Sequence, residues 1–552
     1  MGEIMDWDSS FDIVCVGSGI GGLSAALTGA QSGARVVVLE KFVQLGGVSA
    51  LSSGQLWLGP NHLAEEAGMT DSMAAANAYL GHLNQGFAVP ALRDVYFEHS
   101  RQALRYFTDV IGLEMQVVRG LPDYYYPLVD GSAAQGRYVE IKPFAADRLG
   151  DLAHDVLTSP YGDGYSYTTS NEWIDMQDGG AFIGDRLAQH LAAGERCAGA
   201  GLAAAQVVAA VERGVALHAS SEVVRLVVED GEVRGVIMRD ALGDHAIQAR
   251  LGVVLATGGY DWRADLVRAF DALPQAGSMA PPSITGDHFA LAAAAGALPL
   301  PARAPSQTPI FLGYAVPGEN IYGQASTRMW LPGAPHSIVV NRKGQRFADD
   351  SFYPDLATRV ARFDGQEGGL ANWPAWIIFD QDMLDKYGLL PAWPGQPLPD
   401  GMAISAPTLE ALAGKTGIDL PGLCATVESF NDFCSDGVDH DFGRGKMPWP
   451  RIMTGDPRLP HPNMAPIARA PFHAVPLMRV TMGVPTAGLP IDMDGQVIDP
   501  HGKPICGLYA AGNAAAWLDW GGGYNSGIAN MRGMLYGHRA ALAMTRQQGE
   551  EE

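Results

Sequence analysis

The residues with the clearest chemical use near the N-terminus are three glycines and an acid. Gly17, Gly19 and Gly22 follow an apolar strand and open an alanine-rich helix, and Glu40 closes the strand after that helix. The GxGxxG spacing allows a tight turn and lets a pyrophosphate approach the helix N-terminus, whose N–H groups favour anions. An acid in this position can accept a hydrogen bond from a ribose hydroxyl. The segment therefore predicts a dinucleotide site on a strand–helix–strand unit.

Further glycine-rich turns stand at strand ends far along the chain. They read LGGVSALSSGQLW at 45–57, VVLATGGYDW at 253–262 and GLYAAGNAA at 507–515. A cofactor that is contacted from both ends of the chain must be long, which favours FAD over NAD. The candidate contacts in these turns are Gly46, Gly47, Ser49, Ser53, Gly54, Gly258, Gly512 and Asn513.

Composition limits the class of protein. The net charge of -23, from 60 acidic and 37 basic residues, repels phosphate backbones and predicts that nucleic acid is not a partner. The five cysteines are scattered, and no histidine cluster has ligand spacing, so we expect no metal site. The N-terminus does not resemble a secretory signal, and no apolar window reaches roughly 18 residues. We expect a cytoplasmic protein without a transmembrane segment, at most peripheral to a membrane.

The elements that must position these residues form more than one domain, since 552 residues exceed what one hydrophobic core usually organises. Proline-rich, aromatic segments interrupt the pattern in the middle of the chain. We predict an α/β protein with a Rossmann-like FAD-binding domain built from both chain ends, 8–283 and 461–545. Between them we expect an α+β insertion, 284–460, that caps the site and binds substrate.

An ordered set of motifs resembles the fumarate reductase and succinate dehydrogenase flavoprotein superfamily, and within it the 3-ketosteroid dehydrogenases. Beside the glycine turns, the set includes ATGG at 256–259, TGDH at 285–288 and VVNRKGQRFADD at 339–350. The resemblance extends from about residue 11 to 543 and implies FAD as the cofactor. It adds Asp287, Gly527 and Ile528 to the candidate contacts.

Tyr524 stands where members that act on dicarboxylates carry the arginine of an RxGGNS segment. A phenol can hydrogen-bond to a ketone, but it cannot hold a carboxylate bidentately as a guanidinium does. The resemblance therefore implies a ketone substrate, with Tyr524 and a backbone N–H near Ile528 binding its oxygen.

Two more tyrosines fall on positions that the 3-ketosteroid Δ1-dehydrogenases use. The segment PDYYYPLVDGSAAQGR, 122–137, resembles the one that carries an active-site tyrosine, here Tyr124. The segment RFADDSFYPDL, 346–356, resembles the RFxNESxPY segment of the same enzymes, whose tyrosine is the general base. The corresponding tyrosine here is Tyr353, which stands one residue earlier than in that pattern. A free tyrosine has a pKa of about 10, so we expect Tyr353 to be assisted, either by a lowered pKa or by proton relay through a neighbour such as Tyr124.

The run from Tyr524 to Gly527 is similar to the YxSG of 3-ketosteroid Δ4-dehydrogenases and makes Ser526 a further catalytic candidate. The predicted function is an FAD-dependent 3-ketosteroid dehydrogenase, an oxidoreductase that acts on CH–CH groups. It forms a double bond α,β to the ring-A ketone, with Δ1 preferred. A tyrosine would remove the α proton while hydride passes to flavin N5.

Three points stay open at the sequence level. The alternatives are a Δ4-dehydrogenase or a desaturase of another cyclic ketone, and more remotely a non-catalytic flavin subunit that relays electrons or binds a ligand. The substrate is expected to be a hydrophobic cyclic ketone or steroid. The electron acceptor is unidentified.

Overall fold

A large mixed sheet carries the N-terminal glycine turn. The structure is a computed structural model that describes residues 5–177, 183–271, 276–302 and 311–551. The central strand Ser9–Val16 lies parallel to Val36–Leu39 and to Gly243–Leu255. The order of the principal strands across the sheet is Gln496–Ile498, Pro504–Ala510, Gly243–Leu255, Ser9–Val16, Val36–Leu39 and Ala216–His218. Strands from both ends of the chain thus lie side by side, as the predicted fold requires.

The centre of this sheet is buried on both faces, which explains its unbroken apolar sequence. Ile13, Val14 and Cys15 are fully buried, and so are Val37 and Val38 on the neighbouring strand. Parallel strands covered on both sides read as continuous apolar runs rather than as an alternating pattern. Because parallel strands end at the same edge, the turns that follow them meet there.

The first helix, Ile20–Gln31, lies against the last helix, Ile528–Glu551. Glycines permit this close approach, since a Cβ atom at Gly537 would lie 2.2 Å from the carbonyl oxygen of Gly21. The C-terminal segment is therefore held directly beside the first glycine turn.

The other α-helices connect and cover the sheets. They are Gly47–Leu51, His62–Glu66, Met73–Asn84, Pro90–Asp109, Ser170–Gln177, Ile183–Ala193, Ala198–Glu212, Ala264–Phe270, Asp287–Ala293, Tyr353–Val360, Gln381–Lys386, Leu409–Thr416, Leu420–Asp436 and Pro448–Thr454. Within the described ranges, no helix combines the length and the apolar character needed to cross a bilayer.

Two further sheets, the first antiparallel and the second mixed, are here together called the cap. The first, the cap sheet, orders its strands Ser337–Asn341, Ala375–Phe379, Phe472–Pro476 and Ile404–Ala406. The second orders its strands Ala276–Ser278, Met478–Thr481, Leu312–Ile321 and Gln324–Met329. Strands on either side of the expected insertion therefore pair with strands inside it. The boundaries 283/284 and 460/461 stay a prediction.

Smaller strand pairs complete the described fold. The strands Glu222–Glu229 and Glu232–Asp240 form a hairpin, and Glu232–Asp240 pairs with Gly243–Leu255. A three-stranded sheet has Tyr138–Ile141 at its centre, between Leu56–Trp57 and Met115–Val117. The two-stranded pairs are Phe144–Ala145 with Glu195–Arg196, Leu300–Pro301 with Ala487–Gly488, and Phe363–Asp364 with Gly369–Leu370.

A buried ion cluster fixes the segment that leads to Tyr353. Arg346 pairs with Asp350 at 2.7 Å and with Asp439 at 2.8 Å, and Arg444 pairs with Asp350 at 3.1 Å. Burial acts to raise the pKa of Asp350, but Arg346 and Arg444 outweigh it and hold that pKa below its ordinary value. The cluster joins two segments that are distant in sequence and so positions the start of the helix Tyr353–Val360.

Candidate active site

A continuous cavity of about 490 Å³ is lined by residues of the large sheet, the cap and the C-terminal segment. Most of the residues expected to contact the cofactor line it. These are Gly17, Gly19, Glu40, Gly47, Ser49, Ser53, Gly258, Asp287, Gly512, Asn513 and Gly527. All four catalytic candidates also line it: Tyr124, Tyr353, Tyr524 and Ser526. The structure thus brings the two predicted groups of residues into one space.

Four expected cofactor contacts are not among the residues that line the cavity: Gly22, Gly46, Gly54 and Ile528. A Cβ atom at Gly22 would lie 1.9 Å from the carbonyl oxygen of Gly17, and one at Gly54 would lie 2.3 Å from the carbonyl carbon of Ala198. Gly46 has a φ of +111°, and Ile528 is fully buried at the start of the last helix. A Cβ atom at each of the three glycines would face the protein, so the glycines shape the turns. The side chain of Ile528 is buried as well, and only its backbone N–H stays a candidate contact for a ligand.

Glu40 is held in place by hydrogen bonds from the first glycine turn and from Phe42. Its Oε2 accepts hydrogen bonds from the N–H and the hydroxyl of Ser18, at 2.9 and 2.7 Å, and its Oε1 accepts one from the N–H of Phe42 at 2.8 Å. Burial raises the pKa of Glu40, and these three bonds oppose the rise. A carboxylate offers about four acceptor sites, so one remains for a ribose hydroxyl.

Lys41 is a cavity residue that the sequence patterns did not single out. Its Nζ lies 2.9 Å from Asp287 and 3.0 Å from Glu222, and Asp287 also accepts a 2.7 Å hydrogen bond from Thr285. These bonds join the loop after the second strand to the TGDH turn. An acid followed by a lysine at a strand end was the signal that could have revealed it.

The turn at Gly512 and Asn513 leaves part of the cavity wall open for a cofactor. A Cβ atom at Gly512 would meet no atom within 4 Å, so the backbone is open to the cavity at this turn. Asn513 donates to the carbonyl oxygen of Gly483 and accepts from the indole N–H of Trp517. An open glycine turn and an acid with spare acceptor capacity match an extended dinucleotide.

Three tyrosines from distant segments form one wall of the cavity, here called the tyrosine cluster: Tyr124, Tyr353 and Tyr524. Tyr353 donates a 2.8 Å hydrogen bond to the hydroxyl oxygen of Tyr124. The ring centroid of Tyr124 lies 5.7 Å from that of Tyr353 and 6.3 Å from that of Tyr524. Trp449 and Phe311 pack against the cluster, with centroids 4.6 Å from Tyr124 and 5.3 Å from Tyr353 respectively.

Burial dominates the acidity of the paired phenols. It raises the pKa of Tyr353 well above the ordinary value, and the neighbouring Tyr124 and Tyr524 reinforce the rise. Burial and the neighbouring Tyr524 also raise the pKa of Tyr124, whereas Tyr353 and Ser526 lower that pKa. Both phenols are therefore protonated near neutral pH, and their titration is coupled.

Two amide side chains that the sequence patterns missed hold the cluster in place. Asn525 accepts hydrogen bonds from the hydroxyl of Tyr79 at 3.0 Å and from the N–H of Tyr124 at 3.3 Å. Gln55 accepts one from the hydroxyl of Ser526 at 2.9 Å. Both are buried amides inside glycine-rich segments, and such a segment gives no signal of where an amide points.

The backbone N–H expected to bind the ketone belongs to the first turn of the last helix. That of Ile528 makes a long contact of 3.4 Å with the carbonyl oxygen of Asn525. The N–H groups of a first turn lack partners inside the helix, so they can serve a carbonyl oxygen.

Within the described residues, His336, Asp380 and Asp382 could together offer ligand atoms to a metal ion. The carboxylate of Asp380 already accepts hydrogen bonds from the N–H groups of Asp382, Met383, Ala468 and Arg469. None of the three lines the cavity. Asp380 caps the helix Gln381–Lys386, Asp382 pairs with Arg469, and His336 contacts the carbonyl oxygen of Pro466.

The chain resembles known proteins both in sequence and in fold. Residues 12–529 match the family described as FAD binding domain. The chain is 35% identical over 519 residues to the 4-oxocyclohexanecarboxylate 2-dehydrogenase of Sinomonas cyclohexanicum, covering 92% of this chain and 88% of that one. It is 33% identical over 540 residues to the 3-oxosteroid 1-dehydrogenase of Mycolicibacterium smegmatis, covering 92% of each.

A solved structure agrees with these relatives. The 3-ketosteroid delta1-dehydrogenase from Sterolibacterium denitrificans, in complex with 1,4-androstadiene-3,17-dione, has a TM-score of 0.88 and 28% identity, covering 98% of this chain and 100% of that one. The similarities confirm FAD as the cofactor, the α/β flavoprotein fold and an oxidoreductase that acts on CH–CH groups. The chain therefore belongs to the FAD-binding domain family, together with the 3-oxosteroid 1-dehydrogenases.

Proposed function

We propose that the protein is a 3-ketosteroid Δ1-dehydrogenase. The observation that carries the proposal is the 2.8 Å hydrogen bond between the hydroxyls of Tyr353 and Tyr124, in a cavity wall shared with Tyr524. The relatives described above support the same reaction, since two of them are named for oxidation at carbon 1 of a 3-ketosteroid.

In this proposal each catalytic residue acts on one part of the ketone. Tyr524 and the first-turn N–H of Ile528 bind the carbonyl oxygen and stabilise the developing enolate, which acidifies the α C–H bond. The Tyr124–Tyr353 pair first loses one proton to solvent water, and the resulting Tyr353 anion takes up the α proton of the ketone and becomes neutral again. FAD, when bound, supplies the oxidant that accepts hydride from the β carbon. Because burial raises the pKa of both phenols, the rate should increase with pH.

The cavity extends from the tyrosine cluster into an apolar part of the cap. Trp330, Leu331, Met383, Leu389 and Met453 line this part. Such a surface suits the hydrocarbon body of a fused-ring ketone. Lys41 and Arg328 line the cavity as well, and each is paired with acidic side chains.

A second candidate is the desaturation of a cyclohexanone that carries a carboxylate, the reaction named for the relative from Sinomonas cyclohexanicum. Arg328 favours it, since this guanidinium is buried, lines the cavity and has an Nε atom with no partner in the described part of the chain. Its bond to Glu319, at 2.8 Å, reduces the charge available to a carboxylate.

An anaerobic assay of flavin bleaching distinguishes the two candidate functions. Androst-4-ene-3,17-dione and 4-oxocyclohexanecarboxylate are offered in parallel, and products are identified by mass and NMR. The proposal expects faster bleaching with the steroid and no more than a small change in Arg328→Met. Faster bleaching with the carboxylate, lost in Arg328→Met, would favour the second candidate.

The electron acceptor and the cellular location belong to the same proposal. We infer that the electrons leave to an acceptor outside this chain and that the protein is cytoplasmic, at most peripheral to a membrane. Activity with an artificial acceptor, together with recovery in the membrane or the supernatant fraction after cell lysis, tests both points.

A further inference from the structure

Asn525 is a fully buried amide that joins two of the segments forming the tyrosine cluster. It directly follows Tyr524, and its Oδ1 accepts a 3.3 Å hydrogen bond from the backbone N–H of Tyr124. The same oxygen accepts a 3.0 Å bond from the hydroxyl of Tyr79, and the Nδ2 donates a 2.7 Å bond to the hydroxyl of Tyr138. Because a backbone N–H can only donate, the amide oxygen must face Tyr124, which determines the orientation of this side chain.

The segment that carries Asn525 is packed on the helix Met73–Asn84. A Cβ atom at Gly523 would lie 2.3 Å from the carbonyl oxygen of Leu83, so the backbone of this segment approaches the helix directly. Tyr79, which bonds to Asn525, belongs to the same helix. Within the described residues, Asn525 is the acceptor for the N–H of Tyr124. The amide therefore attaches the backbone of Tyr124 to a fixed part of the fold.

The ring that extends from this backbone carries the hydroxyl that meets Tyr353 at 2.8 Å. That hydrogen bond lowers the pKa of Tyr124 and raises the pKa of Tyr353. Two coupled phenols of this kind lose their first proton more readily than a single phenol in the same surroundings, because the remaining proton bridges the two oxygens. They hold the second proton more firmly for the same reason.

We propose that Asn525 is a positioning residue, which keeps the hydroxyls of Tyr124 and Tyr353 within hydrogen-bond distance and thereby makes the base available at lower pH. The inference rests on the proposed function, in which the pair loses one proton to water and Tyr353 then takes the α proton. If the backbone of Tyr124 were released from Asn525, the remaining proton could no longer bridge the two oxygens. The anion would lose one donor, and the pair would stay neutral to higher pH.

Other titratable groups face the pair from the neighbouring elements. They are Tyr79, His82, Tyr125, Tyr138 and Tyr524. Two carboxylates near these groups have counter-charges: Asp123 pairs with Arg137, and Asp355 pairs with Arg359, each at 2.7 Å. All of these groups remain in a Tyr124→Phe variant, so a shift that any of them caused would persist in that background.

The test is the pH dependence of flavin reduction in the FAD-loaded enzyme, followed anaerobically by stopped flow with saturating ketosteroid. Asn525→Leu keeps the branched shape of the side chain but removes its acceptor and its donor. We expect the midpoint of the rising limb to move up by about one pH unit, the size of one hydrogen bond lost by an anion. Below the midpoint, the same shift appears as a rate about tenfold lower at equal pH. Asn525→Ala, which adds no apolar branch beside Tyr79 and Tyr138, should shift the midpoint in the same direction.

Asn431→Leu is the matched control. The amide of Asn431 is also bonded at both ends, to the backbone N–H and the carbonyl oxygen of Ile467 at 2.8 and 3.0 Å, but it does not line the cavity. Its loss should leave the midpoint unchanged.

Double variants show whether Asn525 acts through Tyr124. In a Tyr124→Phe background the phenol pair is absent, so adding Asn525→Leu should produce no further shift. In a Ser526→Ala background the pair is intact, so the shift should persist. The inference would be overturned by an unshifted midpoint in both Asn525 variants with FAD bound, by an equal shift in the Tyr124→Phe background, or by loss of the shift in the Ser526→Ala background. Failure of the proposed function looks different, because Tyr353→Phe would then still reduce its flavin with ketosteroid.

Discussion

The two walls of the cavity are built in opposite ways. The cofactor wall is made of short-range turns: Gly17 and Glu40 belong to one continuous strand–helix–strand unit, and Glu40 bonds directly to Ser18. The tyrosine cluster has no local unit, since Tyr124 and Tyr353 meet across 229 positions of the sequence. The cofactor wall should therefore depend on local backbone geometry, and the tyrosine cluster on the assembly of the cap.

The largest expected effect is a slower flavin reduction without a change in FAD binding. Tyr353→Phe removes the hydroxyl that bonds to Tyr124, and we expect flavin reduction to slow by about 10³-fold, the usual contribution of a general base. FAD should remain bound, because no cofactor turn changes. Tyr125→Phe is the matched control, since Tyr125 neighbours Tyr124 but does not line the cavity. A Tyr353→Phe enzyme as fast as that control would remove Tyr353 from the mechanism.

A variant in the buried ion cluster of Arg346 tests whether the tyrosine cluster depends on the long-range assembly of the cap. Arg346→Met leaves Asp439 without its cation and should lower the free energy of unfolding by about 3–5 kcal/mol, the typical cost of breaking a buried pair. Thermal unfolding and flavin reduction should both be impaired. Arg239→Met, which breaks the exposed pair with Asp244, should leave the melting temperature unchanged. Equal melting temperatures in the two variants would contradict this account of the cap.

The first glycine turn tests the local character of the cofactor wall. Gly17 has a φ of +106°, and a Cβ atom there would lie 2.4 Å from the carbonyl oxygen of Ala256. Gly17→Ala should cost about 1–3 kcal/mol in backbone strain and release FAD during purification. Gly33→Ala has a similar φ of +90° but meets no atom within 4 Å, so it should keep its FAD. The ratio of flavin to protein absorbance measures both, and a yellow Gly17→Ala protein would count against the predicted turn.

Ketone binding should show a smaller effect. Tyr524→Phe removes one of two donors to the carbonyl oxygen, so we expect kcat/KM to fall by about 10²-fold. The loss should persist at high pH, where the pair is ionised, although the midpoint should move down because Tyr524 raises the pKa of Tyr353 and of Tyr124. A changed pH midpoint with an unchanged limiting rate would instead assign Tyr524 to proton transfer.

The same contrast explains how much the sequence could predict. The glycine turns and Glu40 are recognisable because their function requires a fixed local spacing, and the structure places their strands at one sheet edge. The tyrosines were found only through resemblance to a family, since nothing local distinguishes Tyr353 from the other 17 of the 18 tyrosines. Their location in one cavity follows the prediction, and their catalytic roles stay proposals.

Other features had no signal in the sequence. Gln55 and Asn525 act through side-chain contacts with partners more than 400 positions away, Ser526 and Tyr79 respectively. The strand Phe472–Pro476 pairs with Ala375–Phe379 although it lies beyond the expected end of the insertion. Long-range pairing of this kind depends on how apolar faces are buried together, which a local pattern does not record.

The central claim is that this cavity oxidises a 3-ketosteroid at carbon 1. The most direct measurement is anaerobic reduction of the FAD-loaded enzyme with androst-4-ene-3,17-dione, with the product identified by mass and NMR. The account predicts bleached flavin and one equivalent of the 1,4-diene. An oxidised flavin with this steroid, together with bleaching by a saturated 3-ketosteroid that yields the 4-ene, would contradict it and move Ser526 to the centre of the mechanism.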